Sequence, residues 1–124
     1  MKLIFERSRP GRGNDLLPSL DVPAAPLPEE YRVVKRRYSA FFGTDLEILL
    51  KGLHVDTLYL IGGLTDVCIH YTAVDAHQHD YFIRVVTDAV AGSSEEAHRY
   101  ALKAVQYLQR DALVTTADVE SALE

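Results

Sequence analysis

The order of apolar and polar residues after residue 30 alternates between short apolar runs and amphipathic segments. The apolar runs predict strands at residues 31–34, 57–62, 81–86 and 112–116. The amphipathic segments predict helices at residues 44–52, 66–79, 93–109 and 117–124. The run TLYLIG at 57–62 is apolar without alternation, which is typical of a strand covered on both faces. Strands that alternate with helices predict an α/β domain with a mostly parallel sheet.

Three of the predicted helices carry local signals. Two residue pairs match the capping box, in which the side chain three residues after the N-cap bonds back to the N-cap backbone N–H. They are Thr44 with Glu47 and Ser93 with Glu96. In the helix at 66–79, one stripe is formed by Val67, Tyr71 and Val74. In the helix at 93–109, the expected core face consists of Ala97, Ala101, Val105 and Leu108.

The composition of the N-terminal part differs from that of the rest of the chain. All five prolines lie between residues 10 and 28, and proline fixes φ and lacks an N–H. We therefore expect one domain over 1–124, with an irregular Pro-rich segment at 1–30 that holds one short strand, and an α/β core at 31–124.

Composition narrows the class of protein. The net charge of −5 leaves no basic stripe for phosphates, which argues against a nucleic-acid partner. No apolar run approaches the ~20 residues of a membrane span, and the N-terminus lacks a secretory signal. One cysteine cannot form an internal disulfide, which fits a reducing compartment. We expect a cytoplasmic protein that acts on a small molecule.

The single cysteine, Cys68, follows the strand at 57–62 in the turn GGLTDVC. Lys35 follows the strand at 31–34, so both residues fall on the carboxyl edge of a parallel sheet, where ligands bind. The first turn of a helix stabilises a thiolate, and a nearby lysine adds to this. Cys68 is therefore either an activated nucleophile or a small buried apolar residue.

Other polar residues have simpler explanations. Asp66 is expected to be the N-cap of its helix, and Asp75 and Asp88 are expected to be structural hydrogen-bonding groups. The spacing of His70, His77 and His79 does not gather three metal ligands, and a Cys–His dyad with His54 or His98 has no positioning signal.

Two sequence blocks carry a family resemblance. K-x-x-Y-S-A-F-x-x-T-x-L begins at residue 35, and G-x-x-T-D-x-C-x-x-x-T-A-x-D-A begins at residue 62. Together, over roughly 31–116, they resemble the isochorismatase-like cysteine hydrolase superfamily, which includes nicotinamidases, N-carbamoyl amidohydrolases and isochorismatases. The resemblance implies a three-layer α-β-α, Rossmann-like sheet with helices on both faces, shortened here at the N-terminus.

The resemblance also implies a site and a reaction. It places the nucleophile on Cys68 and the triad lysine on Lys35. The backbone N–H groups of Leu64 and Cys68 correspond to the family's oxyanion hole, and the Gly63–Leu64 bond corresponds to its cis peptide. A thiolate would attack a small amide or carbamoyl compound and cleave its C–N bond.

Pocket and cofactor expectations follow from the same resemblance. Tyr38, Phe41 and Tyr71 correspond to pocket walls. No cofactor is implied, and no metal is expected, because the Asp-x-His cluster of nicotinamidases is missing from residues 6–30, which contain no histidine. Isochorismatases that cleave a vinyl ether do not need the cysteine, so its presence favours C–N hydrolysis.

The triad acid is the departure from the family. In the family, the triad aspartate normally ends the first strand, about a hundred residues before the nucleophile. In this sequence, 67 residues precede Cys68. Either KLIF corresponds to the second strand and the missing first strand leaves a gap, or KLIFE replaces the first strand and Glu6 stands for the aspartate. We favour the former.

A gap in the sheet would have to be filled by a strand from another chain or segment. We therefore expect a homo-oligomer, with segment exchange or a partner chain that completes the sheet. The alternative functions are a catalytically incomplete binding or assembly subunit, and an isochorismatase-type ether hydrolase.

Overall fold

The computed structural model describes residues 27–123, together with the backbone of residues 2–3 and 6–7. Its strands are β1 Lys2–Leu3, β2 Glu6–Arg7, β3 Val34–Lys35, β4 Thr57–Gly63, β5 Phe82–Ala91 and β6 Leu113–Val114. Its α-helices are α1 Leu46–Gly52, α2 His70–Gln78, α3 Glu95–Leu108 and α4 Thr116–Leu123. A π-helical turn, Thr65–Ile69, directly precedes α2 and is called the Cys68 turn below. Within these residues, no helix has the length and apolarity needed to cross a bilayer.

The strands pair in parallel throughout. A four-stranded sheet has the order β1-β4-β5-β6, and β2 pairs with β3 in a second, two-stranded sheet. Helices connect the successive strands β4, β5 and β6. The α/β class with a parallel sheet, predicted from the alternation of elements, is confirmed.

The N-terminal backbone contacts two different strands. Lys2 and Leu3 pair with Tyr59 and Leu60 of β4, while Glu6 and Arg7 pair with β3. The gap expected from a missing first strand stays a prediction: β1 lies beside β4 and β2 beside β3, while β3 and β4 belong to separate sheets. Most of the Pro-rich segment, residues 8–26, lies outside the described residues.

The core lies between the central strands and the helices. The side chains of Leu58 and Leu60 in β4, and of Ile83 and Val85 in β5, are fully buried. The helices contribute the buried residues Leu46, Leu50, Ile69, Ala73, Ala76 and Val105. The burial of β4 on both faces, predicted from its unbroken apolar run, is only partly met: Leu58 and Leu60 are buried on one face, whereas Tyr59 and Ile61 on the other are half-buried.

Helix starts differ from the predicted capping boxes. Glu47 forms an ion pair with Lys51 at 3.2 Å, and α1 begins after Asp45 without a side-chain cap. In α3 the N-cap is Ser94, whose Oγ accepts from the Ala97 N–H at 3.1 Å. The cap is thus one residue later than expected, and Ser93 is free for a different contact.

The buried face of the second helix was also predicted incorrectly. It consists of Cys68, Ile69, Thr72, Ala73 and Ala76, whereas Val67 and Val74 are half-buried and Tyr71 is 47% exposed. Thr72 belongs to this face because its Oγ1 accepts from the Ala40 N–H at 3.0 Å. A pattern based on apolarity alone does not count a threonine as a core residue.

The packing of β4 predicts that Leu60→Ala strongly lowers the free energy of unfolding. Leu60 is fully buried, and deletion of such a side chain leaves a cavity, so we expect a loss of about 2–5 kcal/mol in the free energy of unfolding. Ile48 on α1 is 76% exposed and provides the control. Ile48→Ala is expected to change the free energy of unfolding by less than about 0.5 kcal/mol. Urea unfolding of both variants tests this, and equal losses would contradict the proposed core.

The start of α4 predicts an acid-sensitive contact. Asp88 accepts from the Thr116 Oγ1–H at 2.8 Å and N–H at 2.9 Å, and these bonds lower the pKa of Asp88 below its ordinary value of 3.8. Since the folded pKa lies below the unfolded one, the contact stabilises the fold above the ordinary value and is lost as pH falls through the lowered value.

We expect the NMR shift of the Thr116 amide proton to titrate with a midpoint below pH 3.8, and this step to disappear in Asp88→Asn. A midpoint at or above that value would contradict the contact.

Candidate active site

Lys35 and Cys68 meet at the carboxyl edge of the sheet. Lys35 is the last residue of β3, and its Nζ lies 3.0 Å from the Sγ of Cys68. The same Nζ donates to the Arg37 carbonyl at 3.0 Å. Both side chains are buried, with exposed fractions of 6% for Lys35 and 3% for Cys68. The structure thus brings together the two residues that the sequence placed on this edge.

The end of β4 positions Cys68. The strand pairing shifts between Leu60 and Gly62, and Gly62 has a φ of 108°, a conformation that favours glycine. The Gly63–Leu64 peptide bond that follows is cis, at the place implied by the resemblance. The Leu64 carbonyl then accepts from the N–H groups of Val67 and Ile69, both at 3.1 Å. These bonds close the first turn of the helix around Cys68.

This geometry suits nucleophilic chemistry. An ammonium group beside a sulfur in a water-poor site favours the thiolate, which is the reactive form of cysteine. The start of the helix, where backbone N–H groups are unpaired, also favours a negative charge. The backbone N–H groups of Leu64 and Cys68 belong to this turn, as an oxyanion hole requires, and that role stays a prediction.

Of the three predicted pocket residues, two lie together and one is buried. The rings of Tyr38 and Tyr71 stack with centroids 5.7 Å apart, and both are exposed. Phe41 is buried and packs on His79 and Tyr81, and its place in the pocket wall stays a prediction. His79 follows the last residue of α2, whereas Cys68 precedes its first.

Asp66 has a role that the sequence analysis missed. The N-cap of the turn is Leu64, and Asp66 instead accepts from the Ser93 Oγ–H at 2.6 Å and N–H at 2.8 Å. Burial alone would raise the pKa of Asp66, but the hydrogen bonds from Ser93 outweigh it and lower the pKa below its ordinary value. No local signal could have shown this, since the partners are 27 residues apart.

The histidines do not form a metal site within the described residues. There, no group of three His, Cys, Asp or Glu side chains is arranged to hold a metal ion. His98 contacts Thr65, with Nδ1 2.9 Å from Oγ1, and His77 Nδ1 lies 2.9 Å from Gln109 Nε2. His70 stacks on its neighbour in the chain, Tyr71. These contacts give the histidines structural roles in place of the Cys–His dyad considered above.

A cleft of about 450 Å³ opens on another part of the molecule. It is lined by His77, Asp80, Tyr81, Phe82, Arg84, Gln109, Arg110 and Asp111. These residues lie where α2 and α3 end and β5 begins, so the cleft adjoins neither Lys35 nor Cys68 and takes no part in their chemistry.

Comparison with known proteins agrees with this fold. A family model described as isochorismatase domain matches residues 7–119. The chain is 38% identical over 94 residues to the phenazine biosynthesis protein PhzD1 of Pseudomonas aeruginosa, an alignment that covers 76% of this chain and 44% of the relative.

Solved structures share the three-layer α/β fold. An isochorismatase-like hydrolase from Alkaliphilus metalliredigens superposes with a TM-score of 0.75 at 36% identity, over 80% of this chain and 53% of that one. A pyrazinamidase/nicotinamidase from Streptococcus mutans superposes with a TM-score of 0.63 at 47% identity, over 65% of this chain and 45% of that one.

The length of the match also matters for function. The chain spans between 39% and 43% of the length of three curated relatives from Bacillus subtilis. The family model nevertheless covers most of the chain, including both sequence blocks and, with them, Lys35 and Cys68. The protein therefore belongs to the isochorismatase family of hydrolases.

Proposed function

We propose that the protein is a cysteine hydrolase that cleaves the C–N bond of a small amide or carbamoyl compound. The observation that carries this proposal is the buried contact between Lys35 Nζ and Cys68 Sγ at 3.0 Å, on the edge of a parallel sheet. A structural cysteine needs no charged partner, whereas a nucleophilic cysteine does.

The proposed reaction uses the groups of the Cys68 turn. The Cys68 thiolate attacks the carbonyl carbon and forms an S–C bond, while the carbonyl oxygen becomes an oxyanion held by the N–H groups of Leu64 and Cys68. Collapse of this intermediate breaks the C–N bond, and the nitrogen leaves as ammonia or an amine after taking a proton. Water then attacks the thioester and releases the product acid, which regenerates the thiol.

We propose Glu6 as the acid that carries the proton. β2 places Glu6 level with Val34, the residue before Lys35, and the pairing of β1 with β4 holds the same N-terminal segment beside the strand that leads to Cys68. The segment therefore lies next to both strands that supply the site. The side chain of Glu6 is outside the described part of the structure, so the proposal rests on the backbone pairing.

The stacked pair Tyr38 and Tyr71 supports a planar substrate. Tyr71 is three residues after Cys68, which places it on the same side of the helix, and Tyr38 is three residues after Lys35. Aromatic faces of this kind pack against flat, apolar groups. We propose that they form the wall on which a small planar amide or carbamoyl group rests.

The nucleophile can be tested by substitution. In a panel of small amides and carbamoyl compounds, Cys68→Ala is expected to lower kcat by at least about 10³-fold, because no other thiol can form the thioester. Lys35→Met is expected to lower kcat by about 10²-fold. Lys51→Met, at a lysine whose side chain is 67% exposed, serves as the matched control. Full hydrolysis by Cys68→Ala would refute the mechanism.

The proposed acid has its own test. Glu6→Gln is expected to lower kcat by about 10²-fold without a loss of thermal stability, since the amide cannot carry the proton. Glu29→Gln, at an exposed residue, is the control. A Glu6→Gln variant with unchanged kcat would show that the acid comes from elsewhere, such as a second chain.

Two other functions remain candidates, each with a specific observation. An isochorismatase-type ether hydrolase is favoured by the 36% identity to a probable isochorismatase of Pseudomonas chlororaphis, and it predicts that Cys68→Ala still cleaves an isochorismate-like ether. A binding or assembly subunit in a homo-oligomer is favoured by the short span of the relatives' length. Light scattering would reveal such an oligomer, and inactivity across the panel would then favour the subunit.

A further inference from the structure

The Cys68 turn contacts α3 through two polar side chains. Thr65 and Asp66, three and two residues before Cys68, direct their side chains to the start of α3 and not to their own helix. Thr65 Oγ1 lies 2.9 Å from His98 Nδ1, and Asp66 accepts two hydrogen bonds from Ser93. The turn has no side-chain cap of its own, so these contacts supply its polar anchoring.

The partner residues on α3 are themselves fixed. Ser94 caps α3 through the Ala97 N–H, and the His98 N–H donates to the Ser94 carbonyl at 2.9 Å. Ser93 thus precedes the N-cap of α3, and His98 lies in the first turn of that helix. Thr65 is 1% exposed, so its contact with His98 is shielded from water.

Gly92 shows how tightly these parts approach each other. A Cβ atom at this residue would lie 2.8 Å from the Cβ of His98 and 3.1 Å from Oδ1 of Asp66. A side chain larger than hydrogen would therefore push α3 and the Cys68 turn apart. The glycine here is explained by close approach.

We infer that Thr65, Asp66, Ser93 and His98 form a clamp that positions the Cys68 sulfur against Lys35. These are positioning residues, since none touches Lys35 or Cys68 through the contacts described above. The clamp connects the nucleophile turn to α3, whereas β3 and β4 determine only where the turn begins. This inference rests on the proposed nucleophilic role of Cys68.

The test measures the chemistry of Cys68 without any substrate. The rate of alkylation by iodoacetamide is compared at pH 6.5 and pH 9 in the intact protein. An ordinary thiol, which titrates near ~8.5, should react about 80-fold more slowly at the lower pH. In the wild-type protein, where Lys35 favours the thiolate, the two rates are expected to lie within about tenfold of each other.

In Asp66→Ala, the ratio of the alkylation rate at pH 9 to that at pH 6.5 is expected to move toward the ordinary value of about 80, because the sulfur is no longer held against Lys35. Asp88→Ala is the matched control, since it removes the same pair of hydrogen bonds from a threonine at α4. It is expected to lower thermal stability to a similar degree and to leave the ratio unchanged.

Two further variants cover the case in which Asp66→Ala does not fold. Ser93→Ala removes one of the two hydrogen bonds to Asp66, and Gly92→Ala forces α3 and the Cys68 turn apart. Both variants should raise the ratio of the alkylation rate at pH 9 to that at pH 6.5. A wild-type ratio near the ordinary value would overturn the proposed function. A low wild-type ratio that Asp66→Ala and Ser93→Ala leave unchanged would overturn the clamp alone.

Discussion

The buried ammonium group of Lys35 is the constraint on which the site depends. A charge with an exposed fraction of only 6% is costly unless other groups compensate for its lost hydration. The Arg37 carbonyl and the Cys68 sulfur provide two such contacts, each at 3.0 Å. The proposed nucleophile is thus one of the groups that compensate the buried cation.

The sheet must hold these two residues together from different strands. β3 and β4 are separated in the chain by α1, and the N-terminal backbone pairs with both of them. One segment thus contributes to the edge of β4 and to the partner of β3.

Local sequence signals predicted the elements better than the contacts between them. The strands at 57–62 and 81–86 and the helix before Gly52 follow from runs and periodicity, and the structure has them in the parallel order expected. The contact between Lys35 and Cys68 followed from two sequence blocks and the rule for sheet edges. In contrast, the contacts of Asp66 and Thr65 join residues about 30 apart and leave no periodic trace.

The errors have related physical causes. Val67, Tyr71 and Val74 form an apolar stripe by spacing, yet the buried face of their helix is built mostly from smaller residues and Thr72, which an apolar pattern does not count. Ser93 and Ser94 have equal capping propensity, and the choice between them depends on Asp66, which takes Ser93 as its partner. The sequence indicated one short strand near the N-terminus, but not that it divides into β1 and β2 with different partner strands, because that choice depends on contacts with β3 and β4.

The ionisation of Cys68 is the most direct test of the central claim. Because the chain has one cysteine, the ultraviolet absorbance of the thiolate can be obtained as the difference between wild-type protein and Cys68→Ser across a pH titration. The account predicts a thiolate signal already present at neutral pH in the wild type and absent at that pH in Lys35→Met. A signal that appears only near ~8.5 in both proteins, as for an ordinary thiol, would contradict it.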